Sequence, residues 1–149
     1  MFRGPMMTSL TPKMILVIEP DDNLRHTADE LLREIGFDAV SETNGHSGLS
    51  RIELERRRKQ PIHGVLMSLG LRIFPSLAVL AELRQTYPAL PVIVMAPRDP
   101  PNLLSDAWQC GATGHVTVPF NLESFNSQCL SCFGNPTLLT TREEDTPPE

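Results

Sequence analysis

The stretch His63-Gly64-Val65-Leu66-Met67-Ser68 decides the fold of this 149-residue chain. Small and apolar residues run up to one polar residue, Ser68, and a new segment then begins at Leu69. A short apolar run of this kind is typical of a strand that is buried on both faces of a parallel sheet. Ligands bind such sheets beyond the carboxyl ends of the strands. Ser68 lies at that end and is therefore the first candidate for a functional role.

Strands and helices alternate along the rest of the sequence. Five strands are predicted, at residues 14–18, 38–42, 62–68, 91–96 and 114–118. Segments with helical apolar spacing follow each strand; the first ends at Gly36 and the last runs from Asn121 to about Phe133. This alternation with short loops predicts an α/β fold, a doubly wound five-stranded parallel sheet with five helices.

Composition limits the classes of function. The hydrophobic fraction is 40% and the charged fraction is 21%, as in ordinary globular domains. A formal net charge of -5 disfavours binding to nucleic acid or to an anionic membrane. No apolar run approaches the length of a membrane span or a signal peptide, so we expect a cytoplasmic protein. The three cysteines fit free thiols in a reducing compartment.

The two ends of the sequence differ from its middle. Residues 1–12 show no periodicity, and we expect a flexible leader there. Residues 135–149 are polar, contain three prolines and end with net negative charge, so they predict a disordered tail. One domain is expected between them, at residues 13–134.

Four stretches carry a resemblance to a known family. They are ILVIEPDDNLR from Ile15, VLMSLGLRIFPSLAVLAELR from Val65, LPVIVMAP from Leu90 and CGATGHVTVPF from Cys110. Together they resemble the response-regulator receiver domain of two-component signalling, over about residues 13–134. The resemblance implies a flavodoxin-like fold with strand order 2-1-3-4-5. It also implies a cis peptide bond before Pro119.

The family's phosphorylation site is altered in this sequence. Receivers phosphorylate an aspartate after the third strand, with a magnesium ion held by that aspartate and an acidic pair. Here the acceptor position is Ser68 and the acidic pair is Glu19-Pro20. Two further positions, those of the family's hydroxyl and lysine, are Ala96 and Val118, and the aromatic switch position is His115.

These substitutions act together. Ser68 has no nearby general base to activate it, and magnesium would find too few oxygen ligands. A phosphate would meet neither a lysine nor a hydroxyl. We therefore expect a pseudo-receiver that lacks the phosphoacceptor aspartate, is not an enzyme, and has no metal, cofactor or catalytic residue.

The leading hypothesis is a phosphorylation-independent signalling module that acts by protein–protein interaction in a phosphorelay context. The resemblance places its interaction face on the fourth helix, fifth strand and fifth helix, with Leu103, Trp108, His115 and Phe125. The expected partner is a signalling or output protein, a histidine kinase, or a second copy in a homodimer. Nucleic acid and membrane are not expected partners.

Two other functions are open from the sequence. One is a phosphoacceptor with a rearranged site that uses Glu19 or Asp21. The other is a redox sensor through Cys129 and Cys132, whose spacing equally suits packing on one face of a helix. A basic run, Arg56-Arg57-Arg58-Lys59, is interpreted as a solvated helix end because Glu53 and Glu55 flank it.

Overall fold

The structure, a computed structural model, describes residues 6–71, 75–98 and 101–143. The strands are β1 (Met6–Pro12), β2 (Met14–Ile18), β3 (Asp38–Glu42), β4 (Ile62–Ser68), β5 (Val92–Pro97), β6 (Gly114–Val118) and β7 (Thr137–Glu143). The helices are α1 (Asp22–Ile35), α2 (Gly45–Arg57), α3 (Ser76–Thr86), α4 (Pro101–Gln109) and α5 (Leu122–Phe133).

The five central strands form one parallel sheet in the order β3-β2-β4-β5-β6. This confirms the predicted order, in which β4 is the third predicted strand. Alternate residues of the strands enter two separate cores. Leu16 and Val65 face a core that α2, α3 and α4 cover, whereas Ile15 and Leu66 face a core that α1 and α5 cover. Both faces of β4 are therefore buried, as its unbroken apolar run predicts.

Side-chain caps fix where three of the helices begin. Asp21 accepts a hydrogen bond from the Leu24 N–H at 2.8 Å, and Asn44 and Asn121 cap α2 and α5 in the same way. Each cap satisfies a backbone donor that has no partner within the helix. The helices consequently start immediately beyond the carboxyl edge of the sheet, where the candidate site lies. No helix among the described residues is long and apolar enough to cross a bilayer.

The expectation of a flexible leader at residues 1–12 and a disordered tail at 135–149 requires correction. β1 and β7 pair antiparallel over seven residues each and form a separate two-stranded sheet. The Lys13 N–H donates to the Pro136 carbonyl at 2.7 Å and thereby joins this ribbon to β2. Local periodicity did not reveal the ribbon. Its two strands are more than a hundred residues apart, and their threonines do not alternate with apolar residues as in a strand that faces a core. Residues 1–5 and 144–149 lie outside the described residues.

Candidate functional site

Four parallel strands end side by side at the carboxyl edge of the sheet. The registers pair Ile18 with Met67, Ser68 with Met95, and Pro97 with Val118. Glu19, Ser68, Ala96 and Val118 therefore come together at one edge, as the sequence predicted. The peptide bond between Val118 and Pro119 is cis, which agrees with the resemblance.

Ser68 is held by short-range hydrogen bonds. Its side chain is buried, with 8% of the residue exposed. The Ser68 Oγ accepts the Gly70 N–H at 2.9 Å. The Ser76 hydroxyl donates to the Ser68 carbonyl at 2.8 Å and accepts the Leu71 N–H at 3.1 Å. The turn after β4 is thus closed on itself, and the Ser68 hydroxyl is already engaged in it.

Glu19 is a buried carboxylate beside Ser68, and only 3% of the residue is exposed. Its Oε2 accepts the Asp21 N–H at 3.1 Å, and the Ser68 side chain lies close to the carboxylate. Burial raises the pKa of Glu19 because the charged form loses hydration, although the Asp21 N–H and the nearby Ser68 side chain oppose the effect. The Glu19 carbonyl accepts a 3.0 Å hydrogen bond from Arg25 Nη1. Glu19 and Ser68 are therefore neighbouring polar side chains, and each accepts a backbone N–H two residues further along the chain.

The remaining positions of the site supply no charge. Pro20 is exposed, and the neighbouring Asp21 carboxylate is used in the cap of α1. Ala96 is buried with 6% exposure, and Val118 packs against the core under α1 and α5. No cluster of three or more His, Cys, Asp or Glu side chains suited to a metal exists among the described residues.

These residues do not fit the magnesium ion that the receiver fold implies. Magnesium requires near-octahedral oxygen coordination, usually with carboxylates. The site offers one carboxylate, with an oxygen already bonded to a backbone N–H, and one hydroxyl that already accepts a hydrogen bond. The arrangement suits a packed polar turn more than metal-assisted phosphoryl transfer.

Part of the predicted interaction face is accessible. Trp108 is 43% exposed, and its ring meets the His115 ring edge-on with centroids 5.9 Å apart. A shallow cavity of about 300 Å³ runs beside His115 and is lined on α5 by Glu123, Ser127 and Gln128. This aromatic pair next to a polar cavity is the candidate contact surface.

Two other residues predicted on that face are not exposed there. Phe125 is fully buried and packs edge-on against Phe120 with centroids 5.1 Å apart. The inclusion of Phe125 in the face was therefore wrong. The helical spacing of Phe125, Cys129 and Phe133, one turn apart, is the signal that marks this stripe as core. Leu103 is half-buried and packs against the other core.

Arg84 is a structural residue that the sequence reasoning missed. Its guanidinium donates to the Gly111 carbonyl from Nε at 3.2 Å and from Nη2 at 2.6 Å. Nη1 donates to the carbonyls of Pro88 and Leu90 at 2.7 and 2.9 Å. Arg84 thus ties the end of α3 to the turn between α4 and β6. No local pattern announces this role, because the partners are backbone carbonyls.

The cysteines and the basic run have ordinary structural roles. Cys129 is fully buried, and burial raises the pKa of its thiol to about 12. Cys132 is half-buried and its pKa is raised for the same reason. Neither thiol has the lowered pKa that makes cysteines reactive. The guanidinium groups of the basic run pair with Glu53 and Glu55 within α2, as expected for a solvated helix end.

Comparisons with known proteins bear on the fold and the family. No protein-family model matches the sequence. The chain is 25% identical over 114 residues to the transcriptional regulatory protein KdpE of Staphylococcus aureus, covering 76% of this chain and 47% of the relative. It is 27% identical over 114 residues to the regulatory protein AtoC of Escherichia coli, covering 75% of this chain and 23% of the relative. The chain thus spans about half or less of the curated relatives it matches.

Solved structures agree in fold. A putative response regulator from Chloroflexus aurantiacus superimposes with a TM-score of 0.75 at 16% identity, over 83% of this chain and 98% of the other. The receiver domain of NtrX from Brucella abortus gives a TM-score of 0.71 at 20% identity, over 80% and 97% of the two chains. The structural neighbours show that this chain has a CheY-like fold, and the sequence relatives are regulatory proteins at 25% and 27% identity.

Proposed function

We propose that this chain is a phosphorylation-independent signalling module that works by binding another protein. It carries out no chemistry at the carboxyl edge of its sheet and uses no metal or cofactor there. Its partner is a signalling protein, an output protein or a histidine kinase of a phosphorelay. It acts in the cytoplasm, and neither nucleic acid nor membrane is its target.

The observation that carries the proposal is that the side chains of Glu19 and Ser68 are buried and already accept backbone N–H groups of their own turns. A phosphoacceptor carboxylate must be ionised, exposed to a donor and assisted by positive charge. Here the position holds a serine whose hydroxyl accepts the Gly70 N–H at 2.9 Å, and the adjacent residue Glu19 is only 3% exposed. Phosphoryl transfer would require breaking these hydrogen bonds without gaining any new cationic partner at Ala96 or Val118.

The binding surface is proposed at the Trp108–His115 pair. Exposed tryptophans are enriched at the centres of protein interfaces because they bury a large area at low entropic cost. Glu123, Ser127 and Gln128 beside the pair supply the polar rim that transient interfaces carry. Arg84 fixes the turn that joins α4, which carries Trp108, to β6, which carries His115, so a partner would meet a preformed shape.

Phosphorylation is tested by incubating the protein with acetyl phosphate and magnesium and measuring its intact mass. No added phosphoryl group is expected. The positive control is the triple variant Ser68→Asp, Pro20→Asp and Val118→Lys, which restores three groups of the family's site in the same fold. A phosphorylated wild-type protein would overturn the proposal, and peptide mapping would then tell whether Glu19 or Asp21 had accepted the group.

Binding is tested by comparing proteins retained by the wild-type chain with those retained by Trp108→Ala. We expect partners to be lost from the variant and kept by Leu130→Ala, a matched control at a leucine that is 45% exposed on α5. Equal retention by both variants would rule out the Trp108–His115 surface as the contact.

Buried thiols argue against the redox alternative. A sensor cysteine must reach an oxidant as a thiolate, whereas burial raises the pKa of Cys129 to about 12. Treatment with hydrogen peroxide followed by mass measurement should leave the folded protein without an intramolecular disulfide. A Cys129–Cys132 disulfide formed in the folded state would favour the sensor instead.

A further inference from the structure

The β1–β7 ribbon is an addition to the five-stranded sheet. Its seven register pairs run from Met6 opposite Glu143 to Pro12 opposite Thr137. The ribbon forms its own two-stranded sheet. β1 leads directly into β2, which is three strands away from β6 in the parallel sheet. The superposition on the Chloroflexus aurantiacus protein uses 98% of that chain but 83% of this one, so about a sixth of this chain has no counterpart there. The receiver-like fold is therefore complete without the ribbon.

A two-stranded ribbon presents a physical difficulty. Such ribbons are at best marginally stable in water, and each of their outer edges exposes a row of backbone N–H and C=O groups. Proteins normally protect exposed edges with charges, prolines or bulges. β7 ends in two charged residues, Arg142 and Glu143, which are of this protective kind.

β1 lacks such protection. Its sequence, MMTSLTP, contains no charged residue, and its single proline is the last residue, Pro12. The pairing with β7 proceeds without a register shift, so no bulge interrupts the strand. Leu10, within β1, is 69% exposed, the largest value among the exposed large apolar residues described. An uncharged, uninterrupted edge with an exposed leucine is suited to pairing with another strand.

We propose that the outer edge of β1 is a docking site for β1 of a second copy of this chain. The two strands pair antiparallel about a two-fold axis and create a four-stranded sheet in the order β7-β1-β1-β7. A second copy suits this edge because an uncharged strand pairs with itself without bringing like charges together. Each copy supplies the same backbone donors and acceptors, so the contact is self-complementary.

The size of the contact sets its strength. A seven-residue strand buries less than the roughly 800 Å² per partner of a standard stable interface. The dimer should therefore be in equilibrium with monomer, with a dissociation constant of roughly tens to hundreds of micromolar, which is about −4 to −7 kcal/mol by the affinity relation. This inference does not depend on the proposed binding surface at Trp108, which lies near β6.

Analytical ultracentrifugation of the full chain over a concentration series tests the proposal. The wild type should shift from monomer to dimer, and Ser9→Lys should raise the dissociation constant at least about fivefold, because two lysines would meet across the axis. The matched control is Thr140→Lys on β7, the register partner of Ser9, which adds the same charge to the same ribbon away from the pairing edge. Circular dichroism melts establish that both variants are folded.

Hydrogen exchange gives an independent readout in the unmodified protein. Alternate β1 amides that do not face β7 should exchange freely at low concentration and become protected as dimer forms.

A chain that stays monomeric up to about 1 mM would overturn the proposal. So would a Ser9→Lys variant that dimerises as well as wild type. Loss of the dimer in Trp108→Glu but not in Ser9→Lys would place the contact on the α4–β6–α5 surface instead, and a dimer that survives dilution would indicate exchange of β1 between copies.

Discussion

The two edges of the parallel sheet are held together in different ways. At the carboxyl edge, the side chains of Ser68 and Glu19 accept backbone N–H groups two residues further along the chain, from Gly70 and Asp21. At the amino edge, the bonds join residues far apart. Lys13 Nζ donates to the Phe133 carbonyl at 2.8 Å, and the Met14 N–H donates to His63 Nδ1 at 3.3 Å. At the carboxyl edge these side chains bond within their own turns, whereas the side-chain bonds of the amino edge connect α5, β2 and β4.

This contrast explains which edge tolerates change. A turn whose side chains bond within it can exchange those side chains while the sheet stays intact, and this is the edge where Ser68, Ala96 and Val118 differ from the pattern that the resemblance implies. The amino edge offers less freedom. A Cβ at Gly64 would clash with the Phe133 ring, so even alanine is excluded there without a shift of α5.

The largest expected effect comes from placing a charge at the carboxyl edge. Ser68→Asp replaces the hydroxyl next to Glu19 with a second buried carboxylate. The pKa of the new carboxylate should rise, and the free energy of unfolding at neutral pH should fall by about 1–3 kcal/mol. Urea unfolding measures the loss. Ser68→Asn, which is similar in size and uncharged, should lose clearly less; equal losses would assign the effect to size and not to charge.

Adding the family's other groups should reverse this loss. Pro20→Asp and Val118→Lys in the Ser68→Asp protein should restore stability when magnesium is present, since charges that share a site are coupled. The single Ser68→Asp variant should not become phosphorylated at a useful rate. A stable single variant that is readily phosphorylated would mean that Ser68 is the one defect of an otherwise intact site.

A smaller effect is expected at the amino edge from Lys13→Met. The substitution keeps the aliphatic stem and removes the cationic hydrogen bond to the last carbonyl of α5, with an expected loss of about 1 kcal/mol. Thermal unfolding checks the value. The solvent-exposed Lys59→Met provides a comparison with the same chemistry at the end of α2 and should change little. Similar losses in both would show that the Phe133 contact contributes nothing.

The next effect concerns pH. Burial, followed by repulsion from Lys13, lowers the pKa of His63 below its usual 6.5. Its Nδ1 must stay unprotonated to accept the Met14 N–H. Below pH 6.5 the unfolded chain therefore binds a proton at His63 more readily than the folded chain does. As the pH falls from 6.5 to the pKa of His63 in the folded state, His63 progressively lowers the free energy of unfolding.

His63→Asn, whose side-chain oxygen can accept the same N–H, should flatten stability between neutral pH and the folded His63 pKa. Lys13→Met should raise that pKa, as an NMR titration of the His63 ring would show. Glu19 acts with the opposite sign, since its raised pKa means that protonation on acidification favours the folded state. An unchanged pH dependence in His63→Asn would contradict the account of the amino edge.

The smallest expected effect is that of magnesium on the wild type. A ligand stabilises a protein only through its affinity for the folded state, and the site lacks a suitable donor set. Millimolar magnesium should leave the melting temperature within about 1 °C. The Ser68→Asp, Pro20→Asp, Val118→Lys variant should instead show a saturable rise, and such a rise in wild type would reveal a metal site at the carboxyl edge.

Sequence reasoning succeeded where structure is set by local pattern. The unbroken apolar run of β4, the caps at Asp21 and Asn121 and the stop at Gly36 each act within a few residues, so strands and helices were predicted nearly to their ends. The sequence also predicted which residues lie at the carboxyl edge, because parallel strands that end together bring Ser68 beside the end of β2.

The rest depends on distant partners. The register of β2 on β4 shifts between Met14 and Ile15, which lets His63 accept a backbone N–H, and no spacing in the sequence indicates this. The β1–β7 pairing joins residues more than a hundred positions apart. Phe125 is a different case. Its helical spacing from Cys129 predicts a buried position, whereas the resemblance to receivers predicts a place on the interaction face, and the spacing is correct.

The ribbon also has a consequence for the order of events during synthesis. β1 is made before every other described strand and β7 after them all. While the ribosome translates the intervening residues, β1 has no partner in its own chain, and its uncharged edge is open to strands of neighbouring nascent chains. Two chains that are translated from one messenger RNA could therefore pair through β1 before either has formed its own β1–β7 ribbon. The fraction of chains that pair in this way would depend on how soon each chain is released and completes its ribbon.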